Sequence, residues 1–302
     1  MTAPSPDRPF AGILLMLGFC VLIPLSDAMA KILGQTVPLL VILLARFVLQ
    51  AVILGALMAR TGGSLRVPAG ARLWVLLRTL LYITGMGLMF LALTLLPLAD
   101  AVAIAFVMPF VLLLLGHFVV GEEVGPVRLG ACAVGFAGTL LVIQPNFVEV
   151  GTAALLPLGV AVVFAVFMLV TRRVTRQIAP IPLQAITGVQ GTAILAPLVL
   201  LTLPVDGLTG PLADMPTLLR LLAMGLFGSL AHLAMTWSLK LAPASTLAPM
   251  QYLEIPFATL VGFAVFGDLP DGLALLGICI TVAAGLFIVL RERAISRLAP
   301  GS

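Results

Sequence analysis

PLADAVAIAFVMPFVLLLLGHFVVGE, residues 97–122, returns half a chain later as PASTLAPMQYLEIPFATLVGFAVFGD, residues 243–268. Each copy runs from a proline through a mid-segment proline, Pro109 or Pro256, to a glycine followed by an acid, Gly121-Glu122 or Gly267-Asp268. Upstream, Leu93 matches Leu239. Downstream, Gly130, Cys132 and Gly138 match Gly277, Cys279 and Gly285 after a drift of one residue. Self-similarity at half the chain length, in a chain this apolar, is what duplication of a membrane carrier leaves behind.

The composition agrees. Of 302 residues 62% are hydrophobic and 9% charged, and the mean hydropathy is +1.24. A water-soluble domain needs about 25–35% charge on its surface, so a soluble globule is excluded. Runs such as VLLLLG and LGVAVVFAVFMLV are continuously apolar, which fits helices and not the alternating strands of a membrane barrel. The net charge of +4 then reports loops on one side of a membrane, not affinity for nucleic acid. Three cysteines, Cys20, Cys132 and Cys279, lie within apolar runs and predict neither disulfide nor metal site. The first apolar run is long for a leader and a second follows at once, so it reads as a span.

Breaks at Pro, Gly and charge clusters predict spans near 11–33, 38–59, 73–93, 98–119, 127–144, 153–171, 183–203, 217–239, 245–266 and 272–290. The expected fold is therefore an all-α membrane protein of ten transmembrane helices. With five per repeat, the second copy enters the membrane inverted relative to the first. Loop charge supports this. With the N-terminus inside, the inner segments hold twelve basic residues, among them Arg60, Arg66, Arg128, Arg172, Arg173 and Lys240, whereas the outer ones hold Lys31 and Arg220 beside Glu149, Asp206, Asp214 and Asp271. Both termini are predicted cytoplasmic. The loops leave no room for a soluble domain, and no P-loop is present to couple ATP.

The chain resembles the drug/metabolite transporter superfamily, in particular its EamA family of ten-helix bacterial carriers. The likeness rests on Ala45-Arg46-Phe47, on Leu96-Pro97-Leu98-Ala99-Asp100-Ala101 and on Gly121-Glu122. Their echoes are Leu241-Ala242-Pro243-Ala244-Ser245 and Gly267-Asp268. It implies a first EamA repeat over 11–145 and a second over 151–291, with cytoplasmic segments 1–10 and 292–302, in a bacterial inner membrane. It also implies a small organic solute without cofactor, in a monomer or homodimer. The run LPLADAVAIAFVMPF with GEEVGP is most similar to the branch that includes bacterial riboflavin importers, while other members export amino acids.

Ionisable side chains at mid-span cost about 2.5–3.5 kcal/mol on insertion scales, so each needs a partner or a watery cavity. Asp27 and Arg46 flank the turn near Gln35–Val37 symmetrically and are expected at one depth, as a structural ion pair or as a substrate contact. His232 and Glu254 flank Pro243 in the same way, and a carboxylate facing an imidazole there can exchange a proton between two access states. Gln251, Tyr252 and Trp237, with Tyr82 and Gln190 on other spans, are candidate cavity residues suited to a planar or amphipathic organic ligand, although aromatic packing between helices is the commoner role of such a cluster. Asp100 and His117 read as interface residues. Pro109 and Pro256 each remove a helix donor, which makes spans four and nine candidate gates. The glycine rows 130/138 and 277/285 suit close packing of spans five and ten.

The function expected from these features is a secondary carrier of a small metabolite, with riboflavin uptake as the leading substrate and amino-acid export as the alternative. Glu254 favours protons as the coupling ion. An intramembrane enzyme or lipid-handling protein would need a clustered His/Asp/Glu or Ser/His set, which two distant histidines do not supply. A channel would need a filter sequence, which is absent.

Overall fold

A computed structural model describes residues 8–95, 104–122, 124–143, 151–202, 214–267 and 272–298. The described residues form ten principal helices: α1 Pro9–Leu33, α2 Leu39–Arg60, α3 Arg72–Leu95, α4 Met108–Val120, α5 Pro126–Ile143, α6 Leu155–Thr175, α7 Pro180–Thr202, α8 Met215–Leu241, α9 Glu254–Phe266 and α10 Gly272–Leu298. No strand occurs among them. Seven helices are long and apolar enough to cross a bilayer, the seventh being the run Ala244–Phe266 that ends in α9. Three shorter apolar helices make up the rest. Asp100, Glu149, Asp206, Asp268 and Asp271 lie outside the described residues.

A lipid-facing helix must satisfy its backbone internally and show apolar side chains outward. Leu14, Val52, Leu76, Val134, Leu200, Leu226 and Leu286 are exposed accordingly, while a core of Met16, Phe19, Phe47, Tyr82, Phe167, Met235 and Tyr252 fills the centre. Several helices start at a proline, as at Pro9, Pro126 and Pro180, whose missing N–H is not needed in a first turn. Asp214 instead caps α8. Its carboxylate accepts from the hydroxyl and N–H of Thr217, and these bonds hold it below the usual carboxylate range.

The main helix pairings are α1 with α8 and α9, α6 with α3 and α4, α2 with α7 and α8, and α5 with α10. Exchanging each helix for the one five places on returns most of these pairings. Spans five and ten pack closely at Gly138, where an added Cβ would sit 2.9 Å from the Gly277 carbonyl oxygen and 2.8 Å from Thr281. Gly285 makes room for Leu253 instead, and Gly130 faces open space. Gly138→Ala is therefore expected to lower the melting temperature through about 1–3 kcal/mol of overpacking, with Gly130→Ala near neutral in the same thermal unfolding assay.

Spans four and nine are both broken where the prolines predict. A turn at Phe106–Val107 precedes α4, with Pro109 at its second residue. In span nine a short helical turn, Ala244–Leu247, passes into the 3₁₀ segment Ala248–Leu253 before α9 begins at Glu254, with Pro256 in its first turn. The proline ring would clash with the carbonyl four residues earlier, so the regular ladder stops there and restarts. The breaks are joined: Tyr252 donates its hydroxyl to the Phe106 carbonyl at 3.3 Å and stacks on the Phe106 ring.

Candidate functional site

At the centre the side chain of Arg46, 2% exposed, leaves α2 and reaches α8. Its Nη1 donates to the carbonyls of Met224 and Gly225, both at 3.4 Å, and its Nη2 donates to the Tyr82 hydroxyl at 3.1 Å. The same nitrogen lies 3.1 Å from Nδ1 of His232. Gly228 makes this passage possible, because a Cβ there would fall on the guanidinium. The Tyr82 ring stacks on Phe167, lies 4.7 Å from the His232 ring and meets Phe47 edge-on, while Phe19 meets His232 edge-on. Arg46 thus anchors a stack of planar rings inside an apolar body.

A second buried cation was not singled out by the sequence reading. Arg78, fully buried on α3, donates to the hydroxyls of Thr171 at 2.9 Å, Thr187 at 2.5 Å and Thr236 at 3.4 Å, and lies over the Phe167 ring. Gln184 donates to Thr236 and to the His232 carbonyl, and Gln50 donates to Gln184, which extends the polar layer across α2, α7 and α8. The only sequence signal for Arg78 is a lone charge within WVLLRTLLYITG.

The hairpin pairs predicted from the sequence do not form. Among the described residues Asp27 makes no ion pair with Arg46, and Glu254 does not touch His232; Arg46 meets His232 instead. Asp27 is exposed on α1 and Glu254 half-buried at the start of α9, two helices that pack against each other. Equal distance from a turn sets depth alone. Direction around the helix is set by the slot that Gly228 opens on α8.

Of the other candidates, only Tyr82 joins the central cluster. Gln190 accepts from Thr79 at 2.7 Å. Trp237 lies under the Lys240 ammonium near the end of α8. Gln251 donates to the Met168 sulfur, and Tyr252 packs on Gly135 while it bridges the two breaks. Cys20 and Cys132 are buried free thiols, whereas Cys279 is exposed. His117 is exposed, with Nδ1 3.2 Å from the Glu122 carbonyl oxygen. No group of three or more His, Cys, Asp or Glu suited to a metal occurs among the described residues.

The end of the body that carries Arg8, Arg128, Arg172 and Arg176 is tied together through Glu122. Gly121 adopts the left-handed conformation, φ 71°, that caps α4 and turns Glu122 inward. The Glu122 carboxylate accepts from the backbone N–H groups of Ala244 at 3.2 Å and Ser245 at 2.8 Å, and pairs with Arg172 Nε at 3.1 Å. Arg172 in turn donates to the carbonyls of Leu239 and Ala242, and Arg128 donates to Ser245. This clasp joins α4, α6, α8 and the start of span nine beside a cavity of about 370 Å³. Gly267, φ 77°, repeats the cap of Gly121 in the second half.

Known proteins resemble this chain in sequence and in fold. The chain is 32% identical over 203 residues to a riboflavin transporter of Rhizobium johnstonii, a match that covers 65% of this chain and spans 63% of that protein. It is 28% identical to a riboflavin transporter of Brucella anthropi, over 87% of this chain and 92% of that one. It is 23% identical to an S-adenosylmethionine uptake transporter of Rickettsia prowazekii, over 89% of each. A solved crystal structure superposes with a TM-score of 0.78 at 21% identity, covering 94% of this chain and 98% of that one. The sequence pattern of the EamA-like transporter family matches residues 10–144 and again 151–290, one match for each half of the duplication. With two such repeats in one multi-pass membrane protein, the chain belongs to the EamA-like transporter family.

Proposed function

We propose that the chain is a secondary carrier that takes up riboflavin across the bacterial inner membrane by alternating access. The observation that carries this reading is the central cluster of Arg46, Tyr82 and His232 with Phe19, Phe47 and Phe167. A fixed donor set beside stacked rings suits a flat solute with oxygen acceptors. Relatives named riboflavin transporters make a flavin the first such solute to test. The repeats, over 11–145 and 151–291, are inverted and both termini are cytoplasmic, which the exchange symmetry of the helix pairings and the gathering of arginines at one end support. That basic end is the cytoplasmic one, and the clasp is its closed gate. Spans four and nine move about their paired breaks, and protons enter through Glu254 at the α1–α9 contact.

The test is uptake of labelled riboflavin, alongside an amino-acid panel, into cells lacking their own importers. Saturable riboflavin uptake is expected in the wild type. Glu254→Gln, which fixes that side chain in a neutral form, is expected to lower concentrative uptake about tenfold or more and to abolish its sensitivity to an uncoupler. Amino-acid efflux without riboflavin uptake would overturn the flavin reading. A second reading is uptake of a cationic solute such as S-adenosylmethionine. The accessible acids Asp27 and Glu254 favour it, as do relatives named for that solute.

A further inference from the structure

Two buried polar atoms on α8 have no partner among the described residues: Nε2 of His232 and, one turn earlier on the same face, Oγ of Ser229. A buried donor is costly to leave unpaired, so two on one helix face call for an explanation.

Arg46 decides which histidine nitrogen carries the proton. A guanidinium has donors only, so its 3.1 Å contact with Nδ1 is a hydrogen bond only if Nδ1 offers a lone pair. The neutral ring then bears its hydrogen on Nε2. The other tautomer would set an Nδ1–H against a guanidinium N–H. It would gain only the Gly228 carbonyl, 3.1 Å away, which already serves the helix ladder through the backbone N–H of His232. The ring plane is held by Tyr82 on one side and Phe19 edge-on, so the Nε2–H has one direction.

We infer that His232 presents a fixed Nε2–H to an oxygen acceptor of the transported solute, with the Ser229 hydroxyl as the second contact. His232 is then a specificity-determining donor rather than a proton carrier. The inference deepens the carrier reading and rests on it. The solute class is a ring-bearing metabolite with carbonyl or carboxylate oxygen.

The test uses the full chain in lipid nanodiscs, labelled with ¹⁵N-histidine. The chain has two histidines, so the spectrum of His232→Gln identifies both signals. The proton is expected on Nε2 of His232, and that signal is expected to shift when riboflavin is added. Riboflavin affinity, read from quenching of its fluorescence, is expected to fall about tenfold or more in His232→Leu. In His232→Gln, whose amide nitrogen reaches the Nε2 position as a donor, it is expected to fall about threefold or less. A proton on Nδ1 overturns the inference whether or not a flavin binds. Equal riboflavin affinity in the wild type and a folded His232→Leu also overturns it. If the wild type binds no riboflavin, the flavin reading fails, and S-adenosylmethionine, with its carboxylate, becomes the probe. A shift of Nε2–H on its addition sustains the inference, and an unmoved signal overturns it.

Discussion

Gly228→Ala is expected to abolish transport and to destabilise the protein by about 3–5 kcal/mol, a large part of the 5–15 kcal/mol that holds a typical domain folded. The new methyl would occupy the place of the Arg46 guanidinium. Arg46 cannot retreat into apolar packing without losing its bonds to Tyr82, Met224 and Gly225. Hydrogen bonds to a charged group are worth about 1.5–3 kcal/mol each, and overpacking adds about 1–3 kcal/mol. Thermal unfolding of the purified protein measures the loss. Gly55→Ala is the control, because no atom lies within 4 Å of its would-be Cβ. Equal melting temperatures for the two variants would show that Arg46 does not occupy the slot.

Removal of the Glu122 carboxylate is expected to open the basic end. Glu122→Ala deletes the acceptor of two backbone N–H groups and the partner of Arg172, both side chains being 9% exposed. Breaking a buried pair on one side costs about 3–5 kcal/mol. If even 3 kcal/mol of that acts on the closed state alone, the population shifts by about a hundredfold, since about 1.4 kcal/mol is a factor of ten. A cysteine at Ser245, which is 1% exposed, reports the change. In the Ser245→Cys background a membrane-impermeant thiol reagent applied from the basic side is expected to label Glu122→Ala quickly and the unaltered clasp slowly. Concentrative uptake is expected to fall at least tenfold. Adding Arg172→Ala to Glu122→Ala is expected to do little more, because the two residues act as one unit. Slow labelling in Glu122→Ala would show that the clasp does not close this end.

Much of the fold was legible because a bilayer restricts what an apolar chain can do. Continuous apolar runs had to be helices, and the returning Pro97–Glu122 stretch marked two halves. The proline breaks were legible too, since Pro109 and Pro256 forbid a regular ladder whatever surrounds them. The central site was legible only in part. Counting residues from a turn placed Asp27 with Arg46 and His232 with Glu254 in depth, but the direction of the Arg46 side chain depends on Gly228, which lies nearly two hundred positions away. Arg78 went unread because its three threonine partners sit on α6, α7 and α8 and leave no mark on its own helix. Glu122 stood out in its Gly-acid motif, yet Arg172 looked like one more loop charge until the helices brought the two together.

Riboflavin counterflow in liposomes that contain only this protein tests most directly that the buried Arg46 cluster binds the solute of an alternating-access carrier. Vesicles preloaded with unlabelled riboflavin are expected to take up external labelled riboflavin transiently and saturably. Arg46→Leu, reconstituted to the same amount, is expected to show none. Counterflow of equal rate in Arg46→Leu would contradict the placement of the site, and uptake that rises linearly with concentration and ignores the internal load would contradict alternating access.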